Sequence, residues 1–386
     1  MSALYLLCRR VPMGNLLTTL LLASVVISTQ ASAQALPLTQ LSVPQGFSIE
    51  VLSDSVPGAR QMALSAQGTL YVGSLQAGKV YAITQALTTP QPARVVLDKL
   101  TLPSGIALHA QSLYIGAVSK ILKVERVDQQ LQDLPADGRL QTLSVSEDLP
   151  RERHHGWKYL GFGPDGALYV PVGAPCNICL SEDPRFASIL RMNPNTGVSS
   201  VYAHGIRNTV GFDWHPQTAE LWFTDNGRDL LGDDIPAEEL NVAKRAGSHF
   251  GYPFVHAGTL LDPELGKDAD PADYEPPVLR MQAHSAALGV AFYRGTQFPA
   301  SYRQALFIAE HGSWNRSSKV GYRISVVRAS DTGLRYEPFI EGWLDKEENN
   351  WGRPNDVLSA SDGSLLISDD QAGAIYRVRY STPKTD

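Results

Sequence analysis

The sequence carries no basic tract, and its formal net charge is -6. Neither feature suits a nucleic-acid partner, because phosphate neutralisation needs clustered Lys and Arg. Charged residues make up only 19% of the chain, an ordinary soluble share. Cysteine is scarce, with three in 386 residues, and Cys8 lies in the N-terminal leader described below. That leaves Cys176 and Cys179, spaced C-x-x-C. Two thiols are half of what a structural zinc needs, and no βαβ pattern surrounds them to suggest a thioredoxin-like redox role. In an exported chain such a pair reads as a disulfide. No Gly/Ser-rich linker marks a domain boundary. No D-x-D-x-D-G run marks an EF-hand either, although Asp225, Asp229, Asp233 and Asp234 crowd one loop.

A short apolar run sits at the N-terminus. Arg9 and Arg10 precede Leu16–Ile27, and Ala31-Ser32-Ala33 follows with small residues. This is the pattern of a secretory signal peptide over residues 1–33, and it places the mature protein in the periplasm or outside the cell. The run is short for a membrane span, so no stable span is expected once the signal is removed.

The rest is punctuated by turns, with 32 glycines and 25 prolines. A motif of leucine, an aromatic or aliphatic residue, and an aliphatic residue recurs six times. It begins at Leu70, Leu113, Leu168, Leu221, Leu306 and Leu365. Each copy follows an apolar strand and a Gly, Asp or Pro turn, and most precede a third strand such as Ser188–Met192 or Ala374–Arg379. Repeats of this size built from short strands predict an all-β, six-bladed β-propeller over residues 41–382. One blade cannot bury both faces of its sheet, so blades must stack around an axis. The segment Phe47–Leu52 is expected to pair with the C-terminal strand and close the ring, which removes an exposed edge. The longest interval, before Leu306, holds an insertion at about Ala257–Pro277, read as a long loop near a functional rim.

Polar residues cluster at blade starts and just after second strands. They include His154-His155, Arg207-Asn208, Asn226-Gly227-Arg228, the run Glu310–Arg316 and the run Trp351–Asp356. A histidine such as His155 can take a proton from an alcohol, or simply bond to the backbone at a rim. Arg207 and Arg353 can grip planar oxyanions bidentately, or serve as structural partners of nearby acids. The acidic loop can hold calcium through backbone carbonyls, or be a solvated turn. The residues alone leave these pairs of readings open.

Taken together, RHHGWKYLGFGPDGALYV, RNTVGFDWHP, LWFTDNGRDLLGDD, EHGSWNR and GRPNDV resemble the pyrroloquinoline quinone-dependent glucose/sorbosone dehydrogenases, most of all the L-sorbosone dehydrogenase branch. The likeness spans nearly the whole mature chain. It implies a six-bladed propeller that oxidises an aldose or a sugar-derived aldehyde such as sorbosone, with pyrroloquinoline quinone and calcium (Ca2+) as cofactors. It implies His155 as the base, and Arg207 and Asn208 against the quinone oxygens. Arg353 and Arg316 would meet the cofactor carboxylates, and the carbonyls of Gly227 and Arg228 would hold the calcium. Its electron acceptor would be a quinone or a cytochrome. Three positions depart from the pattern. Ala174, Gly312 and Asn355 stand where the soluble glucose-oxidising members carry a carboxylate, a lysine and a further arginine, which puts glucose in doubt as substrate. Two other readings remain, a calcium-dependent propeller lactonase and a ligand-binding propeller without cofactor.

Overall fold

The six leucine-led runs are the second strands of six blades, each built on four antiparallel strands and the third extended by a fifth, in a computed structural model that describes residues 35–382. Five of these strands, for example Leu70–Ser74, Leu168–Val172 and Leu365–Asp369, are buried along their whole length, and Leu221–Asp225 is buried except at Trp222. Each lies inside its own sheet and between neighbouring blades, so both faces are apolar. That is why they read as continuous runs rather than alternating ones. Tyr71, Val80 and Ala82 of the first blade pack on Ile106, Leu113 and Ile115 of the second. Tyr169 and Ile189 of the third pack on Phe212 and Phe223 of the fourth in the same way. The expected leader, residues 1–33, lies outside the described residues. No helix among the described residues is long and apolar enough to cross a membrane.

The ring closes as expected. Phe47–Ser53 pairs antiparallel with Ala374–Tyr380, with Phe47 opposite Tyr380. Phe47 meets Phe298, Phe339 and Tyr380 edge-on, with ring centroids 4.8 to 5.0 Å apart. The insertion is more ordered than a loop. It carries a small hairpin, Val255–His256 with Leu260–Leu261. The fourth blade takes its outer strand, Leu279–Met281, from beyond it. Ser248–His249 joins the third blade in parallel beside Ser199–His204. Two residues are too few for a sequence pattern to reveal.

Buried polar side chains stitch the first strands together around the channel. Gln61 Oε1 accepts from Ile106 N and Leu160 N at 2.8 and 2.9 Å, and its Nε2 donates to Leu160 O at 2.7 Å. Asp356 Oδ2 accepts from Met62 N at 2.9 Å, and Oδ1 from the Tyr159 hydroxyl at 3.3 Å. Burial pushes the Asp356 carboxyl up from 3.8 to about 7. The protonated form therefore favours the fold. Its contribution is full below 3.8 and is lost as pH rises through about 7. Asp356→Asn keeps the shape without the titration. Its stability should decline less steeply across that window, by up to about 1.4 kcal/mol per pH unit. Urea unfolding of both proteins at several pH values checks this; parallel profiles would refute it.

Candidate active site

Loops from five blades meet around a cavity of about 370 Å³ at one mouth of the channel. That is small-molecule size. His155, Arg207, Asn208, Gly227 and Arg353 all line it, together with Arg60, Trp157, His311 and Trp314. Residues spread over some two hundred positions are thus brought together. Arg316 and Arg228 do not line it with the others. Arg316 donates to the carbonyls of Asp233 and Ser318, and Arg228 turns toward the insertion.

His155 sits in a left-handed conformation, φ 48°, at the head of the third blade. Gly173 lies against it, and a Cβ there would come within 2.5 Å of the His155 Cβ. The imidazole Nδ1 lies 2.9 Å from the Ala174 carbonyl. A carbonyl only accepts, so Nδ1 carries the hydrogen and Nε2 keeps its lone pair. Ala174 therefore orients the ring with its main chain, at a position whose side chain can do nothing of the kind. Burial, and then the Arg207 charge, hold the imidazole well below its ordinary value of 6.5, and so neutral.

Arg207 is buried and heavily bonded. Nε donates to Asn177 O at 2.9 Å, and one terminal nitrogen donates to Asn226 O at 3.1 Å. The other terminal nitrogen donates to Asn177 Oδ1 and Asp229 Oδ2, both at 2.8 Å. Four of the five guanidinium hydrogens are spent, and one N–H remains. Arg353 is the more open fork. It spends Nε on His311 O at 3.0 Å and one terminal N–H on Gly312 O at 2.8 Å, and it lies over the Tyr322 ring. It forms no ion pair among the described residues. Gly312, φ 99°, cannot carry a longer side chain, because a Cβ there would come within 2.3 Å of the Tyr322 ring.

The four aspartates divide their labour. Asp225 is buried and caps the backbone N–H groups of Arg207 and Asn208 at 2.8 and 2.6 Å. Asp229 pairs with Arg207. Asp233 accepts from Ser317 N at 3.0 Å, while Asp234 faces solvent. Among the described residues no three His, Cys, Asp or Glu side chains gather around a common metal position. The carbonyls of Gly227 and Arg228, by contrast, accept no hydrogen bond from the described residues. Below them Glu238 Oε2 accepts from Gly227 N at 2.8 Å, and burial pushes its carboxyl up to about 8.

Some cavity residues escaped the sequence reading. Arg60 is the second residue of the first strand of blade one, Ala59–Leu64, close to the blade-start position of the polar residues singled out elsewhere. Asp370 follows a second strand, as Asn226 does. Asp370 pairs with Arg60 at 2.7 Å and with His311 Nε2 at 2.8 Å. Burial holds His311 down at about 4. Two donors at the cavity, Arg60 Nε and Trp157 Nε1, are buried without an acceptor among the described residues. Unspent donors beside donor-free carbonyls suit an oxygen-rich anion held together with a hard cation.

Residues 120–377 match the glucose/sorbosone dehydrogenase family. An uncharacterised protein of Borreliella burgdorferi is 34% identical over 376 residues, covering 95% of this chain and 97% of that protein. The holo pyrroloquinoline quinone domain of pyranose dehydrogenase from Coprinopsis cinerea is 18% identical. It covers 88% of this chain and 97% of that one, with a TM-score of 0.70. The quinone-bound aldose sugar dehydrogenase from Streptomyces coelicolor is 20% identical, with 88% and 100% covered and a TM-score of 0.62. At such identities the structural likeness speaks for the fold.

Proposed function

The chain belongs to the glucose/sorbosone dehydrogenase family, and from that premise we propose that it is a quinoprotein dehydrogenase. Its substrate is an aldose or a sugar-derived aldehyde of the sorbosone kind, and its cofactors are pyrroloquinoline quinone and calcium. One observation carries this reading: a neutral imidazole, an arginine fork without an ion pair, buried donors without acceptors and the donor-free carbonyl of Gly227 all belong to one mouth among the described residues.

Arg353, Arg60 and the remaining N–H of Arg207 would hold the anionic cofactor, with Asn208 beside them. The carbonyls of Gly227 and Arg228 would hold the calcium. When bound, the quinone supplies a two-electron acceptor made more electrophilic by the cation. His155 Nε2 takes the proton from the substrate hydroxyl. An aldehyde offers that hydroxyl as its hydrate or cyclic hemiacetal. The Nδ1–H bond to Ala174 O keeps the ring in the tautomer this transfer requires. Trp314, exposed at the rim, gives the sugar ring an apolar face to lie on. Electrons then leave to a quinone or a cytochrome, and the signal peptide expected at residues 1–33 supports a location in the periplasm or outside the cell.

Metal-free protein should take up pyrroloquinoline quinone when calcium is added, and should then reduce a dye with aldoses or sugar aldehydes. Spectra without quinone uptake would end the proposal. Lactone hydrolysis without dye reduction would favour the lactonase.

A further inference from the structure

Asn177 stands between the two bonded cysteines. The Cys176–Cys179 disulfide closes a short ring just beyond Ala174. Tyr252 pins that ring, with its hydroxyl accepting from Cys179 N at 3.2 Å and lying 3.6 Å from Cys176 Sγ. The ring holds Asn177 against the mouth. Its carbonyl accepts Arg207 Nε at 2.9 Å, and Oδ1 accepts a terminal N–H of Arg207 at 2.8 Å. Oδ1 also accepts Asp229 N at 2.8 Å, while Nδ2 donates to Asp229 O at 3.1 Å. A single residue therefore binds both the guanidinium and the loop that follows Gly227 and Arg228.

We propose that Asn177, held by the Cys176–Cys179 ring, is the positioning residue of the cofactor site. It directs the single free N–H of Arg207 into the cavity and fixes the Gly227–Arg228 carbonyls through Asp229. The inference rests on the quinoprotein reading. Its logic is a count of donors. Without the Asn177 side chain, one terminal N–H of Arg207 and the Asp229 N–H lose their shared acceptor, and only the carbonyl that Nε uses remains. The guanidinium keeps Asp229 and Asn226 and can turn toward the carboxylate, away from the mouth. A ring only four residues around leaves the Asn177 backbone few alternatives, so its carbonyl is preset. An open chain would have to order that segment on binding.

The test uses metal-free full-length protein titrated with free pyrroloquinoline quinone and calcium chloride, followed by tryptophan emission. Trp157 and Trp314 line the cavity and report directly. Asn177→Ala should weaken quinone uptake about 10- to 100-fold, the usual cost of removing a group that orients a ligand. Its apo melting temperature should stay close to that of the wild type. Cys176→Ser with Cys179→Ser keeps Asn177 but frees it, and should weaken uptake in the same direction by less. Asn177→Asp keeps the acceptors for Arg207 and for Asp229 N, and should recover most of the affinity. A second readout needs no cofactor: the slowly exchanging backbone N–H signal of Asp229 in NMR, which donates to Asn177 Oδ1, should exchange fast in Asn177→Ala. Wild-type affinity and a retained signal in Asn177→Ala would overturn the inference. So would Asn177→Asp binding no better than Asn177→Ala. If the wild type takes up no quinone, the quinoprotein reading fails, and the Asp229 signal still decides whether Asn177 holds the loop that pairs with Arg207.

Discussion

His155→Asn should lower dye-linked turnover of the reconstituted protein by about a hundred- to ten-thousand-fold, the range that general-base catalysis supplies. Asparagine is the sharper choice over alanine, because position 155 is left-handed and asparagine tolerates that conformation. Its amide can donate to the Ala174 carbonyl in place of Nδ1, so the loop should stand while the proton acceptor is gone. Quinone uptake should persist, since in the proposed site arginines rather than the imidazole would hold the anion. The loss should fall on kcat more than on binding. In the apo wild type, the His155 ring should show no protonation as pH falls through 6.5, because burial and Arg207 disfavour the cation. Wild-type turnover in His155→Asn would remove the base from the mechanism.

Asp262→Ala should destabilise the fold by about 3–5 kcal/mol, the cost of stranding one member of a buried ion pair. Asp262 lies fully buried in the insertion, with Oδ2 taking Arg228 at 2.5 Å and His256 at 2.9 Å. Oδ1 accepts the backbone N–H groups of Glu264 and Leu265 at 2.8 and 2.9 Å. Removing it leaves the Arg228 guanidinium to Glu264, whose side chain is mostly exposed, and Arg228 Nε already has no acceptor. On the proposed reading the Arg228 side chain anchors the backbone whose carbonyl would hold calcium, so calcium affinity should fall along with stability. Urea unfolding and calcium titration measure the two effects. Replacing Arg228 and Asp262 together by Met and Leu should recover much of the stability, because no buried charge is then left alone. A single-variant loss below about 1 kcal/mol, the scale of an exposed pair, would show that the contact is not structural.

The insertion shows where sequence reading stops. Its Pro- and Asp-rich composition marks a loop at a functional rim. Nothing in its spacing says that Asp262 would be buried against an arginine four-and-thirty positions earlier in the chain. The same holds at Asn177. A polar residue between two cysteines carries no local signal, because its partners belong to another blade. Ala174 is the reverse case. As a side chain it looks like a loss beside the soluble glucose-oxidising pattern, yet its carbonyl holds His155 Nδ1. Sequence comparison sees side chains and misses a task done by the main chain.

Local chemistry along the chain determined the number of blades, their second strands and the closure of the ring. Those follow from short-range burial: each second strand is covered on both faces, and its residues must be apolar wherever the blade sits. It also singled out Arg207, Asp229 and Arg353, half of the charged residues at the mouth, because a propeller puts equivalent repeat positions at the same end. Only the tertiary structure decided which of those groups remain available. Arg207 spends four hydrogens inside the protein, Arg316 turns to the Asp233 carbonyl, and Arg353 stays open. A side chain's free donors are set by neighbours from other blades, and the distances to those neighbours exist only once the ring has closed.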